Sequence, residues 1–288
     1  MKDKPLFDRY FRARRYEASE CTFTNLYLWQ PGYNLEWALI DGFLCLRALW
    51  QGQAFVFPPF GPPAGVESVL DQLAEQFARE GRPFFMKAAT VDLVQYLEAV
   101  RPGYYHFRAD RDNFDYVYLV KDLIELKGRR YNSKKNHLNY FYSYYPQARY
   151  VPITPELIPA CVASTLAWYD RRCDEDPCME YEKEAILRAF AHFRELKLVG
   201  GAIVIDGKVE AFTFGEALNS DTVVVHIEKG NADFRGIYQV INQQFCHQWR
   251  HMRYINREED MGIEGLRQAK LSYRPVKLVE KYDVAIAK

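Results

Sequence analysis

The chain has 288 residues, 49% of them hydrophobic, with 21 Tyr and 19 Phe. That content excludes low-complexity disorder and supplies one large core or two of about 140 residues each. Lys+Arg and Asp+Glu balance at 38 apiece, which argues against a general polyanion binder but leaves room for a local basic patch. The N-terminal MKDKPLFDRYFRARRYE has no apolar stretch behind it and does not read as a secretory signal. No run reaches the roughly 18 apolar residues of a membrane helix, so the expectation is a soluble, cytoplasmic protein with no transmembrane segment. The six cysteines (Cys21, Cys45, Cys161, Cys173, Cys178 and Cys246) are scattered. Only Cys173 and Cys178 lie close, with no second pair and no His spacing to match, so free thiols rather than a metal site are expected.

In chain order, polar and aromatic segments open the first half. Strands are predicted at Leu35–Ile40, Phe43–Leu49 and Ala54–Phe57, with Asp41-Gly42 as a hairpin signal between the first two. Pro58, Pro59, Pro62 and Pro63 make a loop. Over Val66–Glu80 the residues Val66, Leu70, Leu73 and Phe77 share one helical face. Phe84–Ala88 reads as a strand, Val91–Val100 as a helix, and Tyr104–Arg108 and Asp115–Leu119 as strands. In the second half, Pro155–Asp170 and Tyr181–Glu195 read as helices. Lys197–Ile205 and Val209–Gly215 make a hairpin about Asp206-Gly207. The strand Thr222–Lys229, the helix Ile237–Arg250, the short strand Tyr254–Ile255 and a last strand Val276–Tyr282 follow. Hairpins mixed with helices in both halves indicate an α+β protein, expected to divide into residues 1–148 and 149–288.

Four segments carry polar groups in patterns that suit chemistry. Lys127–Phe141 holds Lys127, Arg129, Arg130, Lys134 and Lys135, followed by Asn136, His137 and Asn139, and interleaved with Tyr131, Tyr140 and Phe141. This composition suits phosphate contact with base stacking, and equally an ordinary solvated helix. In VVVHIEKGNADFRG, strand alternation puts His226 and Glu228 on one face, either as a general base with its partner or as a structural pair. Arg235-Gly236 then opens a helix whose N–H groups suit an anion. Glu216 ends the hairpin's outgoing arm, beside the same place or simply in solvent. Last, YINREEDMGIEGLRQAKLSY packs Asn256, Arg257, Glu258, Glu259 and Asp260 against Met261-Gly262, ahead of Gly265, Arg267, Lys270 and Tyr273. Gly262 and Gly265 weaken a helix by roughly 1 kcal/mol each relative to Ala, so the segment reads as a polar loop entering a short basic helix.

Taken together, GRRYNSKKNHLNYF, GGAIVIDGKVEAFTFGE, VVHIEKGNADFRGIYQVINQQF and YINREEDMGIEGLRQAKLSYRPVKLVEKY resemble the DUF2156 family, which is similar to the C-terminal catalytic domain of phosphatidylglycerol lysyltransferases. The resemblance covers nearly the whole chain and is densest from about residue 115. It implies two tandem GNAT-like domains, an arrangement shared with Fem-type aminoacyl ligases. It also implies transfer of an aminoacyl group from aminoacyl-tRNA. The multi-span membrane region of the lipid-modifying members has no counterpart in these motifs, which leaves the acceptor open between a small molecule and a lipid head group. The loop departs from the acyl-CoA pattern [QR]-x-x-G-x-[GA]: Tyr238 holds a position where a small residue admits pyrophosphate.

On this reading His226 or Glu228 takes the acceptor's proton. Asp260 and Glu258 hold the donor's amino group. Arg257, Lys270, Lys134 and Lys135 bind phosphates, and Asn242 and Tyr273 orient the carbonyl or donate a proton. Glu216, Asn136, His137, Arg235, Gly236 and Asn256 complete the expected binding set. The competing readings are an acetyl-CoA-dependent N-acetyltransferase and a non-catalytic tRNA-binding protein of the same fold.

Overall fold

The structure is a computed structural model that describes residues 1–62, 64–170 and 177–287. Pro63 of the expected loop, Cys173 and the Cys178 side chain lie outside the described residues.

The chain forms two compact units. One comprises Met1–Asp115, Glu259–Arg267 and Leu278–Lys288, the other Tyr116–Glu258 and Gln268–Lys277. This division differs from the expected 1–148 and 149–288. The stretch from 116 to 148 joins the second unit because its strand β6 (Asp115–Leu119) pairs with β11 (Tyr254–Asn256). Its helices α5 (Val120–Glu125) and α6 (Asn132–Tyr144) pack on α9 (Ile237–Gln248).

The first unit opens with two helices, α1 (Lys4–Arg12) and α2 (Phe23–Tyr33), where the sequence predicts no element. Pro5 suits the first turn of α1. Thr22 caps α2 by accepting the Asn25 N–H at 3.1 Å. A six-stranded sheet follows in the order β1-β2-β3-β4-β13-β5, from β1 (Glu36–Ile40), β2 (Phe43–Trp50), β3 (Gln53–Val56), β4 (Phe85–Thr90), β5 (Tyr105–Ala109) and β13 (Lys281–Ile286). Helix α3 (Val66–Arg79) buries the predicted face Val66, Leu70, Leu73 and Phe77 against Val56, Met86 and Val284. Fully burying one such side chain contributes about 1.5–3 kcal/mol. The single terminal strand predicted over Val276–Tyr282 is in fact two, β12 (Lys277–Val279) and β13.

The second unit is built on a seven-stranded sheet in the order β12-β6-β11-β10-β9-β8-β7. The hairpin β8 (Val199–Ile205) and β9 (Lys208–Ala217) turns at Asp206 and Gly207, with φ of 50° and 78°, both positive as a type I′ turn requires. β10 (Thr222–Gly230) pairs antiparallel with β9 and parallel with β11. β7 (Arg149–Pro152) forms one edge, and α7 (Ile158–Asp170) and α8 (Pro177–Ala191) pack against each other. After β11 a polar loop enters α10 (Glu264–Leu271), as the sequence predicts. The α+β expectation of two mixed-sheet units is met. Among the described residues, no helix is long and apolar enough to cross a membrane.

Candidate functional site

The middle of β10 is irregular. Its register with β9 runs from Val223↔Ala217 to Val225↔Gly215 and resumes at Ile227↔Phe214. His226 is therefore the extra residue of a β-bulge, a device that re-aims a side chain. Gly215 permits the close crossing, since a Cβ there would lie 2.0 Å from the Val224 carbonyl oxygen.

His226 Nε2 lies 3.1 Å from Glu216 Oε1, and its Nδ1 lies 3.1 Å from Glu258 Oε1. The parallel pairing of β10 with β11 sets Asn256 beside Val224. The Asn256 side-chain oxygen accepts the Glu258 N–H at 2.8 Å. That turn places Glu258 in the left-handed region, φ 55°, which a local Asx hydrogen bond helps to support.

Burial opposes charge on His226, but the hydrogen bonds to Glu216 and Glu258 overcome it and raise its pKa from 6.5 to about 9. At neutral pH the ring is an imidazolium donating from both nitrogens, with no lone pair left to take a proton. To act as the expected general base, His226 would first have to give up the proton that Glu216 and Glu258 hold on its ring. His226 and Glu228 also do not pair with each other, because each has its own partners.

Glu228 accepts from Arg257 Nη2 at 2.9 Å and from Asn242 Nδ2 at 3.3 Å. Arg257 lies between aromatic rings, 5.8 Å from the Tyr118 centroid and 5.3 Å from that of Tyr273. Lys134 Nζ sits 4.2 Å over the same Tyr273 ring. Two cations thus converge on one ring, and among the described residues only Arg257 of the two has a carboxylate partner. Burial, and then the Arg257 charge, push the Lys134 pKa below the usual lysine range. Burial pushes the phenols of Tyr118 and Tyr273 well above theirs, so both remain neutral donors. Tyr273 also hydrogen-bonds the Gln239 side chain.

The other expected residues divide. Lys270 is not free for phosphate: its ammonium donates to the Arg257 and Glu258 carbonyl oxygens, fixing the loop that carries both side chains. Asp260 belongs to the first unit, where it is fully buried. Its carboxylate accepts from Arg267 at 2.8 and 2.9 Å, from Arg111 at 3.3 Å and from the Gly262 N–H at 2.9 Å, which leaves it engaged in shaping its own loop. Gly236 caps α9 at φ 97°. A Cβ there would lie 2.4 Å from the His137 carbonyl oxygen, so its lack of a side chain serves the approach of α6. The His137 ring has a buried Nδ1 with no hydrogen-bond partner among the described residues. Burial, Arg235 and Lys134 hold its pKa below the ordinary value. Lys135 is half-buried, and Asn136 and Arg235 are exposed.

Sequence reasoning missed Tyr118 and Gln239. Tyr118 is one of several aromatics in a buried strand, and nothing in its local pattern marks it as the second wall around Arg257. Gln239 lies in an ordinary helical turn, and its partner Tyr273 is far along the chain.

The chain matches the family described as phosphatidylglycerol lysyltransferase, C-terminal, over residues 11–285. A conserved protein of unknown function from Bacteroides thetaiotaomicron VPI-5482 is 36% identical, with 99% of this chain and 97% of that one covered and a TM-score of 0.93. The C-terminal domain (DUF2156) of a putative lysylphosphatidylglycerol synthetase from Agrobacterium fabrum is 13% identical, over 99% and 91% of the two chains, at a TM-score of 0.67. FemX is 9% identical over 97% and 95%, at 0.63. The last two likenesses are likenesses of fold. The match over residues 11–285 establishes that this chain belongs to the phosphatidylglycerol lysyltransferase C-terminal family.

Proposed function

We propose that the protein transfers an aminoacyl group from a charged tRNA to an amine or hydroxyl acceptor, with the site on the second unit around Glu228, Arg257, Lys134 and Tyr273. The observation that carries this reading is the pair of cations over the Tyr273 ring, at 4.2 and 5.3 Å, of which Lys134 has no carboxylate partner among the described residues. A half-buried cation beside another cation is stabilised when an anion arrives. In acyl transfer that anion is the oxygen of the tetrahedral intermediate. Membership of a family named for lysyl transfer supports the same class of donor.

In the proposed step the acceptor's nitrogen or oxygen attacks the ester carbonyl carbon. A new C–N or C–O bond forms as the ester bond to the terminal ribose breaks. Glu228 takes the proton from the acceptor and returns it to the departing ribose oxygen. Lys134 and the Tyr273 phenol stabilise the oxyanion, while Arg257 and Asn242 orient Glu228. Glu216 and Glu258, with the His226 imidazolium between them, carry a net negative charge that suits the donor's amino group. The Tyr238 hydroxyl donates to the Gly230 carbonyl oxygen at 2.8 Å. Its bulk therefore stays on the first turn of α9, which favours a donor other than acyl-CoA.

The test is discharge of a panel of aminoacyl-tRNAs, with acetyl-CoA consumption followed in parallel. Discharge specific to one aminoacyl-tRNA is expected. Lys134→Ala and Glu228→Gln should each slow it by on the order of 10²-fold; both should still unfold cooperatively, Glu228→Gln at a lower midpoint because Arg257 loses its carboxylate. Wild-type rates in both variants, or acetyl-CoA turnover with no tRNA discharged, would overturn the reading. Binding of tRNA with no discharge under any condition would instead identify a non-catalytic binder.

A further inference from the structure

Helix α6 presents a ridge that the proposed chemistry does not use. Asn132, Asn136, Tyr140 and Tyr144 recur at four-residue spacing and so lie along one face. The two asparagines and Tyr144 are exposed, and Tyr140 is half-buried. Tyr144 is 64% exposed, although a tyrosine of this size usually buries its ring. The two tyrosine rings stack at 4.2 Å between centroids and 18° between planes. The Arg235 guanidinium also lies over the Tyr140 ring, 4.6 Å from its centroid. A guanidinium and two stacked phenols are thus held together, with Tyr144 the most exposed of the rings.

Charge collects around the same helix. Lys127, Arg129, Lys135 and Arg235 have no carboxylate partner among the described residues, while Arg130 alone of the cluster pairs, with Asp122 at 3.3 Å. In a chain with a net charge of +0 this is a local segregation of positive charge. Aromatic faces and amides along α6, with cations on it and on the segments beside it, match a single-stranded polynucleotide: bases continue the stack, amides meet base edges, and cations neutralise phosphates.

We infer that the α6 ridge Asn132–Asn136–Tyr140–Tyr144, with Arg235 and Lys135, docks a single-stranded RNA segment by stacking a base on Tyr144. This rests on the reading of the donor as a charged tRNA and deepens it, because the unpaired end of such a donor is the segment that would lie here.

The experiment measures binding of a short, 5′-labelled, uncharged RNA ending in CCA to the full chain by fluorescence anisotropy, over a series of salt concentrations. Tyr144→Ala should weaken binding about tenfold, in line with the 1–3 kcal/mol of a base–aromatic stack, and Tyr144→Trp should restore it. Arg235→Ala should lower the slope of log affinity against log salt by about one, the signature of one lost phosphate contact. Equal affinity for wild type and Tyr144→Ala overturns the inference. So does tyrosine-dependent self-association in sedimentation without RNA binding, since the ridge would then be a protein interface. RNA binding that depends on Tyr144 in a protein that discharges no aminoacyl-tRNA leaves the ridge standing and sinks the transferase reading. Undiminished discharge and RNA binding in Tyr144→Ala does the reverse.

Discussion

At His226 burial and hydrogen bonding act in opposite directions on one proton. Desolvation favours the neutral ring, and two carboxylates 3.1 Å away favour the cation; the cation prevails, with a pKa of about 9. The native state therefore holds a proton that the unfolded chain releases between pH 6.5 and about 9. Stability contributed by this residue is complete below about 6.5 and is lost as the pH rises through about 9, a swing on the order of 3 kcal/mol. Urea unfolding of the wild type should show that fall across the window, whereas His226→Gln, which cannot be protonated, should show a flatter profile. A wild-type profile as flat as the variant's would mean that the ring is neutral in the native protein and open again to a role as base. Little of this was legible in the sequence. His226 and Glu216 lie on neighbouring strands ten residues apart, but Glu258 arrives only through the parallel pairing of β10 with β11, a contact no local pattern announces.

Elements whose stability is local were the easiest to read. The period of α3 and the Asp206-Gly207 hairpin can both be argued within a window of a few residues, and both are present. Helix α2 was not read, because Pro31 and Gly32 lie in its last turn and hide the pattern. Gly236 shows the difference between local and tertiary causes. Its sequence context suggests a turn cradling an anion, while the structure adds a close approach, the His137 carbonyl oxygen 2.4 Å from where a Cβ would stand. Gly207 has a similar positive φ, 78° against 97°, but no atom within 4 Å of that point. Replacing either by Ala strains the backbone by about 1 kcal/mol. Gly236→Ala must in addition push α9 from α6, so its total should reach about 2–3 kcal/mol and its loss of discharge activity should exceed that of Gly207→Ala. Equal unfolding midpoints for the two variants would show that α6 and α9 yield freely at their contact.

Across the whole molecule, the division into units depends on segments remote in sequence. The first unit takes its strand β13 from the end of the chain and inserts it between β4 and β5. There Lys281 is fully buried against Asp115 at 2.7 Å and Glu20 at 2.6 Å. A chain cut to residues 1–115 keeps every helix of that unit's first segment but leaves β4 and β5 without the strand that joins them. It also takes the Lys281 ammonium away from the buried Asp115 carboxylate, and removing one partner of a buried pair costs about 3–5 kcal/mol. That is a large share of the roughly 5–15 kcal/mol by which a domain is stable. The fragment 1–115 should therefore unfold without a cooperative transition and be cut rapidly by protease, and a peptide spanning residues 277–287 added in trans should restore protection. If the peptide carries Lys281→Met, restoration should be weaker, because the β-strand pairing is kept while Asp115 and Glu20 lose the Lys281 ammonium. A fragment that melts cooperatively without the peptide would show that β4 and β5 close on each other directly. The terminal strand would then be an addition to a finished sheet rather than the inner strand that links β4 to β5.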